Sequence, residues 1–310
     1  MEETVIQSVE TFETNKIFIK RDDLIPISFG GNKARKAAYF FKEIDALGYD
    51  CVVTYGSSSS NHCRVISNMA AMRNLPCCII GPLEASKPTF NRQMMELFGA
   101  KCITVPVDDV HETIAQTIQA LKDGGKKPYF IAGGGHGNLG TQAYVDCYEE
   151  IRRFEQAHQI QFDFIFLASG TGTTQAGLVA GQLIHGDDRN IVGISIARAN
   201  LRGRQVVLDS IWDYLRETKC SVEKNCVEQA TIFVDRYTCG GYGKQDAEVG
   251  RAINTMLCLH GIALDATYTG KAYAGMQRYI RDFGIVNKHI LFLHTGGTPL
   301  FFDYLREGTR

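Results

Sequence analysis

One lysine stands out for its setting. Lys33 follows Gly30-Gly31-Asn32 and precedes Ala34-Arg35-Lys36, where a helix is expected to begin. A lysine amine can form a Schiff base with an aldehyde cofactor, and a glycine pair lets the backbone approach such a group closely. Arg35 and Lys36, if they lie near it, would lower the amine pKa. The same residues also read as a plain glycine turn running into a basic helix start. The segment alone leaves both readings open.

Three other segments place polar groups at the ends of apolar runs. The run 164–168 leads into Ser169-Gly170-Thr171-Gly172-Thr173-Thr174 and then a helical stretch. Its glycines let successive N–H groups turn toward one anion, and the threonine hydroxyls and helix N-terminus add to the attraction. That suits a monophosphate. The rival is a dinucleotide loop, since Gly170 and Gly172 match the start of its fingerprint. That loop wants an acidic residue after the next strand, whereas 191–196 is followed by Ala197-Arg198-Ala199. No P-loop lysine–serine pair is present. Next, 51–54 runs into Tyr55-Gly56-Ser57-Ser58-Ser59-Ser60-Asn61-His62, a pocket of small donors at a helix start that suits a carboxylate. Ser and Asn are also ordinary helix caps. Finally, 264–271 contains Tyr268, which in isolation reads as an amphipathic core aromatic, and 289–294 delivers Thr295-Gly296-Gly297 to a strand's C-terminal edge, where α/β sites lie.

The elements that must carry these groups are visible as alternating patterns. Buried strands are expected over 17–19, 51–54, 77–81, 101–105, 129–132, 164–168, 191–196 and 289–294. Amphipathic helices are expected over 34–47, 61–73, 90–98, 110–122 and 141–156. Such alternation means βαβ units and mostly parallel sheets flanked by helices, an α/β fold. At 310 residues and 45% apolar, the chain can hold one large or two moderate cores. Its 33 basic and 34 acidic residues leave a net charge of −1, which argues against nucleic acid or an anionic membrane surface and for a small-molecule substrate. No apolar run approaches bilayer length, and no signal peptide is expected from the acidic start. Of the 10 cysteines, Cys51, Cys77, Cys78 and Cys102 sit in or beside apolar runs and none shows metal-ligand spacing, so reduced thiols, no metal site and a cytoplasmic location are expected.

Taken together, KRDD with FGGNKARK (20–36), SSSSNHCR (57–64), SGTGTTQAG (169–177), LDATYTGKAYAGM (264–276) and HTGGTPLFF (294–302) resemble, in order, the pyridoxal-phosphate enzymes of fold type II. Within them the resemblance is to the D-cysteine desulfhydrase and 1-aminocyclopropane-1-carboxylate deaminase group. It implies a tryptophan synthase beta-like two-domain fold. A large cofactor domain would comprise 1–46 and 147–310, a small inserted domain 47–146, with pyridoxal 5'-phosphate in the cleft. It further implies that Lys33 carries the cofactor as a Schiff base and that Gly170, Thr171, Gly172, Thr173 and Thr174 hold its phosphate. Asn61 would meet its phenolic oxygen and Thr295 its pyridine nitrogen. Ser60, His62, Tyr268 and Thr269 would face a small amino acid, with Lys33, Tyr268 or Ser60 moving protons. Thr269 and Thr295 match the D-cysteine enzymes rather than the deaminases, making D-cysteine the lead substrate. Cyclopropane ring opening comes second, and β-elimination from another small amino acid third. A homodimer is implied by the same likeness. A nicotinamide-binding or non-catalytic α/β protein is the alternative from another class. His136, in Gly133-Gly134-Gly135-His136, departs from the glycine–serine–asparagine sequence of these relatives.

Overall fold

The structure, a computed structural model, describes residues 2–308. It opens with a hairpin of β1 (Ile6–Phe12) and β2 (Asn15–Lys20), followed by α1 (Asn32–Leu47) and β3 (Cys51–Tyr55). The chain continues through α2 (Asn61–Ala71), β4 (Cys77–Pro82), α3 (Phe90–Leu97), β5 (Lys101–Val105), α4 (Val110–Asp123) and β6 (Pro128–Ile131). Then come α5 (Asn138–His158), β7 (Phe164–Ser169), α6 (Thr173–His185), β8 (Asn190–Ser195), α7 (Asn200–Glu217), α8 (Lys224–Ala230) and β9 (Ile232–Val234). α9 (Ala247–His260), α10 (Thr269–Asp282), β10 (His289–Leu293) and α11 (Thr298–Gly308) complete it. No helix among the described residues is long and apolar enough to cross a membrane.

The strands form two sheets. One has the order β1-β2-β10-β7-β8-β9 and the other β5-β4-β3-β6. Every pairing is parallel except β1 with β2. The α/β reading holds, and each expected strand is present within two residues of its expected ends. Two strands escaped the sequence reading. β1 (IQSVETF) has single apolar residues separated by polar pairs at a sheet edge, and β9 is only three residues long. β1 lacks the continuous apolar run that marks a strand covered on both faces, and the apolar β9 is too short to stand out as one.

Cores lie on both faces of the larger sheet. Ile17, Phe166, Ile194 and Phe292 pack with α9 and α10 on one face, and Ile165, Leu167 and Leu291 with α5, α6 and α7 on the other. A third core gathers Val52 and Ile79 of the smaller sheet with Ile66 of α2 and Ala34, Phe41 and Ile44 of α1. α1 therefore turns its apolar face to the smaller sheet.

Its other face is held by charge. Arg35 grips Asp22 with two bonds (Nε–Oδ2 2.9 Å, Nη2–Oδ1 2.7 Å) and Glu150 of α5 through Nη1 (2.6 Å). Lys20 of β2 completes the cluster on Glu150 (2.6 Å), and Tyr144 donates to Asp22 (2.7 Å). Burial alone would raise the Asp22 carboxyl, but the Arg35 guanidinium outweighs it and holds the pKa down to about 2. Removing one member of such a buried pair leaves the other charge uncompensated, at a cost of about 3–5 kcal/mol. Asp22→Asn is therefore expected to lower unfolding stability by about that amount in urea titrations. Because the folded pKa is depressed, this stabilisation is present above the unfolded value of about 4 and fades as pH falls toward 2. The wild-type minus variant difference should shrink over that window.

Candidate active site

Lys33 sits in the first turn of α1, and the approach to it depends on a glycine. Gly31 has φ 95°, and a Cβ there would lie 2.7 Å from the Thr295 carbonyl oxygen. Asn32 N donates to that same oxygen (3.0 Å), so the start of α1 is joined to the end of β10. Lys33 Nζ donates to Gly134 O (3.1 Å), and burial lowers its pKa to about 8. Arg35 does not contribute as expected, because its guanidinium is engaged by Asp22 and Glu150 on the far face of α1. Lys36 does lie within electrostatic reach. It is buried with no hydrogen-bond partner on Nζ, and burial followed by the nearby Lys33 pushes its pKa well down.

A cavity of about 360 Å³ opens at the C-terminal edges of both sheets, and Lys33 is on its wall. The loop after β7 supplies Gly170, Thr171, Gly172 and Thr174, with Gly172 at φ 89° before α6. The first N–H groups of a helix have no intrahelical partner, so α6 presents donors here. Asn32 Nδ2 bonds Thr174 Oγ1 (3.0 Å), linking this loop to the lysine segment. Thr173 is not on the cavity wall. Its hydroxyl is buried and bonded to His136 Nδ1 (3.1 Å). The 133–135 loop closes over Thr171, and a Cβ on Gly134 would come 2.7 Å from Thr171 Cγ2.

From the smaller sheet, Ser60, Asn61 and His62 reach the same cavity at the start of α2. Ser60 Oγ accepts Cys63 N (3.2 Å) as the helix cap and keeps its own proton to donate. Thr54 Oγ1 donates to Ile131 O (2.7 Å), so its contact with His62 Nε2 (2.8 Å) must be received from the ring. His62 Nε2 therefore carries a proton, and in the neutral ring Nδ1 is the acceptor. Burial and then Lys33 and Lys36 push its pKa well below the usual value.

Thr295 and Tyr268 also line the cavity. Tyr268 OH pairs with Tyr242 OH (2.7 Å), and burial followed by Tyr242 raises its pKa well above normal. It is held as a proton donor. Thr269, expected at the substrate, is fully buried off the wall. Its hydroxyl donates to Asp265 Oδ1 (2.8 Å), whose carboxylate also accepts the N–H groups of Thr267, Tyr268 and Thr269 to cap α10. Tyr55, Tyr242 and Arg198 line the cavity without having been assigned a role from sequence. Arg198 alone carried a signal, as the residue following the strand beside the glycine–threonine loop.

Residues 4–296 match the family described as pyridoxal-phosphate dependent enzyme, and the chain belongs to that family. It is 32% identical to a D-cysteine desulfhydrase of Yersinia enterocolitica over 303 residues, covering 93% of this chain and 88% of that one. It is 30% identical over 295 residues to a Pyrococcus abyssi protein named for 1-aminocyclopropane-1-carboxylate deaminase, covering 94% and 87%. Among solved structures, an ACC deaminase homologue superposes with a TM-score of 0.89 at 30% identity, covering 99% of this chain and 93% of that one. The nicotinamide and non-catalytic readings fall with this membership.

The site fits pyridoxal phosphate. Nothing on the cavity wall is a carboxylate. Lys36 Nζ and Arg198 Nη1 are buried nitrogens with no hydrogen-bond partner, and a phosphate beside the glycine–threonine loop would supply the countercharge that favours their charged forms. Lys33 needs its neutral form to add to an aldehyde. Uptake of added pyridoxal phosphate by the cofactor-free protein, followed by absorbance, should therefore accelerate through a midpoint near pH 8. Lys33→Ala should abolish the absorbing species. A pH-independent rate would contradict the lowered pKa.

Proposed function

We propose that this protein is a lyase that converts D-cysteine and water to pyruvate, sulfide and ammonia. The observation that carries this reading is the meeting of Lys33, the glycine–threonine loop, Ser60, Tyr268 and Thr295 around one cavity without a carboxylate. When bound, pyridoxal phosphate would supply the aldehyde that Lys33 captures and the electron sink for a substrate carbanion. Gly170, Thr171, Gly172 and Thr174 would hold its phosphate, with Lys36 as countercharge. Asn61 would meet its ring oxygen. Thr295 would meet its ring nitrogen as a neutral partner, since a hydroxyl does not favour protonation as a carboxylate does.

The chain's own groups divide the remaining work. The Ser60 hydroxyl and the α2 N-terminus hold the substrate carboxylate. Lys33, whose buried amine is neutral above about pH 8, would take the proton from Cα. Tyr268, kept protonated beside Tyr242, donates a proton to the departing sulfur. His62 Nδ1 serves as an acceptor at the substrate's edge. The two threonines that favour D-cysteine over the cyclopropane substrate are unequal: Thr295 is on the wall, whereas Thr269 reaches it only through Asp265 and Tyr268.

The test is to assay sulfide and pyruvate together from the cofactor-loaded protein given D-cysteine, L-cysteine or 1-aminocyclopropane-1-carboxylate. Equimolar sulfide and pyruvate from D-cysteine alone are expected, with Tyr268→Phe about 10²–10⁴-fold slower. Ring opening of the cyclopropane substrate without sulfide release from D-cysteine would make the protein a deaminase instead.

The proposal extends to architecture and setting. The two sheets act as lobes, 1–46 with 147–310 and 47–146, with α1 shared between their cores. A homodimer is supported by an exposed apolar patch in which Phe29, Leu97 and Phe302 cluster with Phe90, Met94 and Pro299. Leu97→Asp is expected to shift the sedimentation coefficient from dimer to monomer; an unchanged value would place the interface elsewhere. A cytoplasmic location is supported by Cys51, Cys63, Cys77 and Cys147, which are buried as core residues.

A further inference from the structure

The proposed role of Asn61 depends on which end of its carboxamide faces the cavity. A carboxamide carries a donor at one end and an acceptor at the other, and the two ends have nearly the same shape. Only the Nδ2 end can donate to an anionic ring oxygen. The neighbours of Asn61 determine the outcome through a chain of forced choices.

The chain starts at Ser59, whose carbonyl oxygen can only accept. Asn91, fully buried on α3, meets that oxygen at 2.8 Å, so the end of Asn91 facing it must be Nδ2. The second hydrogen of the same Nδ2 goes to the Asn61 side chain at 3.0 Å, and the atom receiving it must be Oδ1. Arg64, fully buried on α2, approaches the same oxygen at 3.5 Å with a guanidinium that can only donate. Asn61 Oδ1 is therefore turned into the protein, and its Nδ2, which makes no hydrogen bond within the described residues, is left for the cavity.

We propose that Asn91 is a positioning residue that fixes the donor end of Asn61 toward the cofactor's ring oxygen; this rests on the cofactor reading above. Asn91 does not line the cavity and touches no reacting atom. It acts through Asn61, and it ties α3 of the smaller sheet to the cofactor's electronic state. A donor at the ring oxygen draws off negative charge that would otherwise hold a proton on the adjacent lysine–cofactor nitrogen. Losing the donor should raise the pH at which the bound cofactor's visible band titrates.

The experiment compares wild type with Asn91→Ala, which removes the donor, and Asn91→Asp, which replaces it with an acceptor. Two quantities are read on each: the dissociation constant for pyridoxal phosphate and the pH midpoint of the visible band. Both variants are expected to bind the cofactor about tenfold more weakly, the scale of one hydrogen bond, and to titrate at higher pH. Asn61→Ala should produce the same midpoint shift, and the double variant with Asn91→Ala should add nothing further. A packing role alone would weaken binding without moving the midpoint. An unchanged midpoint in whichever Asn91 variant folds overturns the inference and leaves the cofactor reading intact. A wild-type protein that takes up no pyridoxal phosphate overturns both.

Discussion

The buried contact between Arg35 and the carboxylates of Asp22 and Glu150 is the constraint on which the rest depends. It joins the segment after β2, the first turns of α1 and the middle of α5 through bonds of 2.6–2.9 Å. Charges removed from water are tolerated only with partners in good geometry, so the three elements have one satisfactory register. That register places Lys33 two residues before Arg35, on the opposite side of the helix start, facing the cavity. Gly31, pressed against the Thr295 carbonyl, fixes the same turn from the side of β10. The lysine is aimed by groups that never meet a ligand.

The cavity itself is a region of concentrated positive charge and neutral donors. Burial, and then the nearby Lys33 and Lys36, push the His62 pKa well down, and Arg198 lies at the wall with part of its guanidinium unpartnered. Burial keeps Lys33 nucleophilic near pH 8 while it keeps the Tyr268 phenol protonated. One physical effect, exclusion from water, thus prepares a base and an acid in the same space. The two lobes contribute differently. The larger sheet brings the glycine–threonine loop and Thr295, and the smaller sheet brings Ser60, Asn61 and His62, with Asn91 bonded to Asn61 from behind.

Much of this was legible in the residues. Parallel strands covered on both faces read as continuous apolar runs, so β2 to β8 and β10 were visible, whereas the edge strand β1 and the short β9 were not. Lys33, Ser60, Asn61, Thr171 and Thr295 were each marked by glycines or by the end of a strand, and they do converge. Thr173 and Thr269 sit in equally suggestive runs yet turn inward. In a helix's first turn neighbouring side chains point in different directions, and the hydroxyls of these two are engaged by His136 and Asp265. Tyr55, Tyr242 and Asn91 reach the site or its support only through folding, and no local spacing announces that. Arg35 and Lys36 look equivalent in sequence, but the partner set across α5 separates them.

The central claim is that Lys33, rather than its buried neighbour Lys36, is the residue that captures the cofactor. Reduction of the pyridoxal-phosphate-loaded protein with borohydride, followed by peptide mass mapping, tests it directly. The account predicts a single reduced cofactor adduct, fragmenting to Lys33. An adduct on Lys36 or on any other lysine would contradict it.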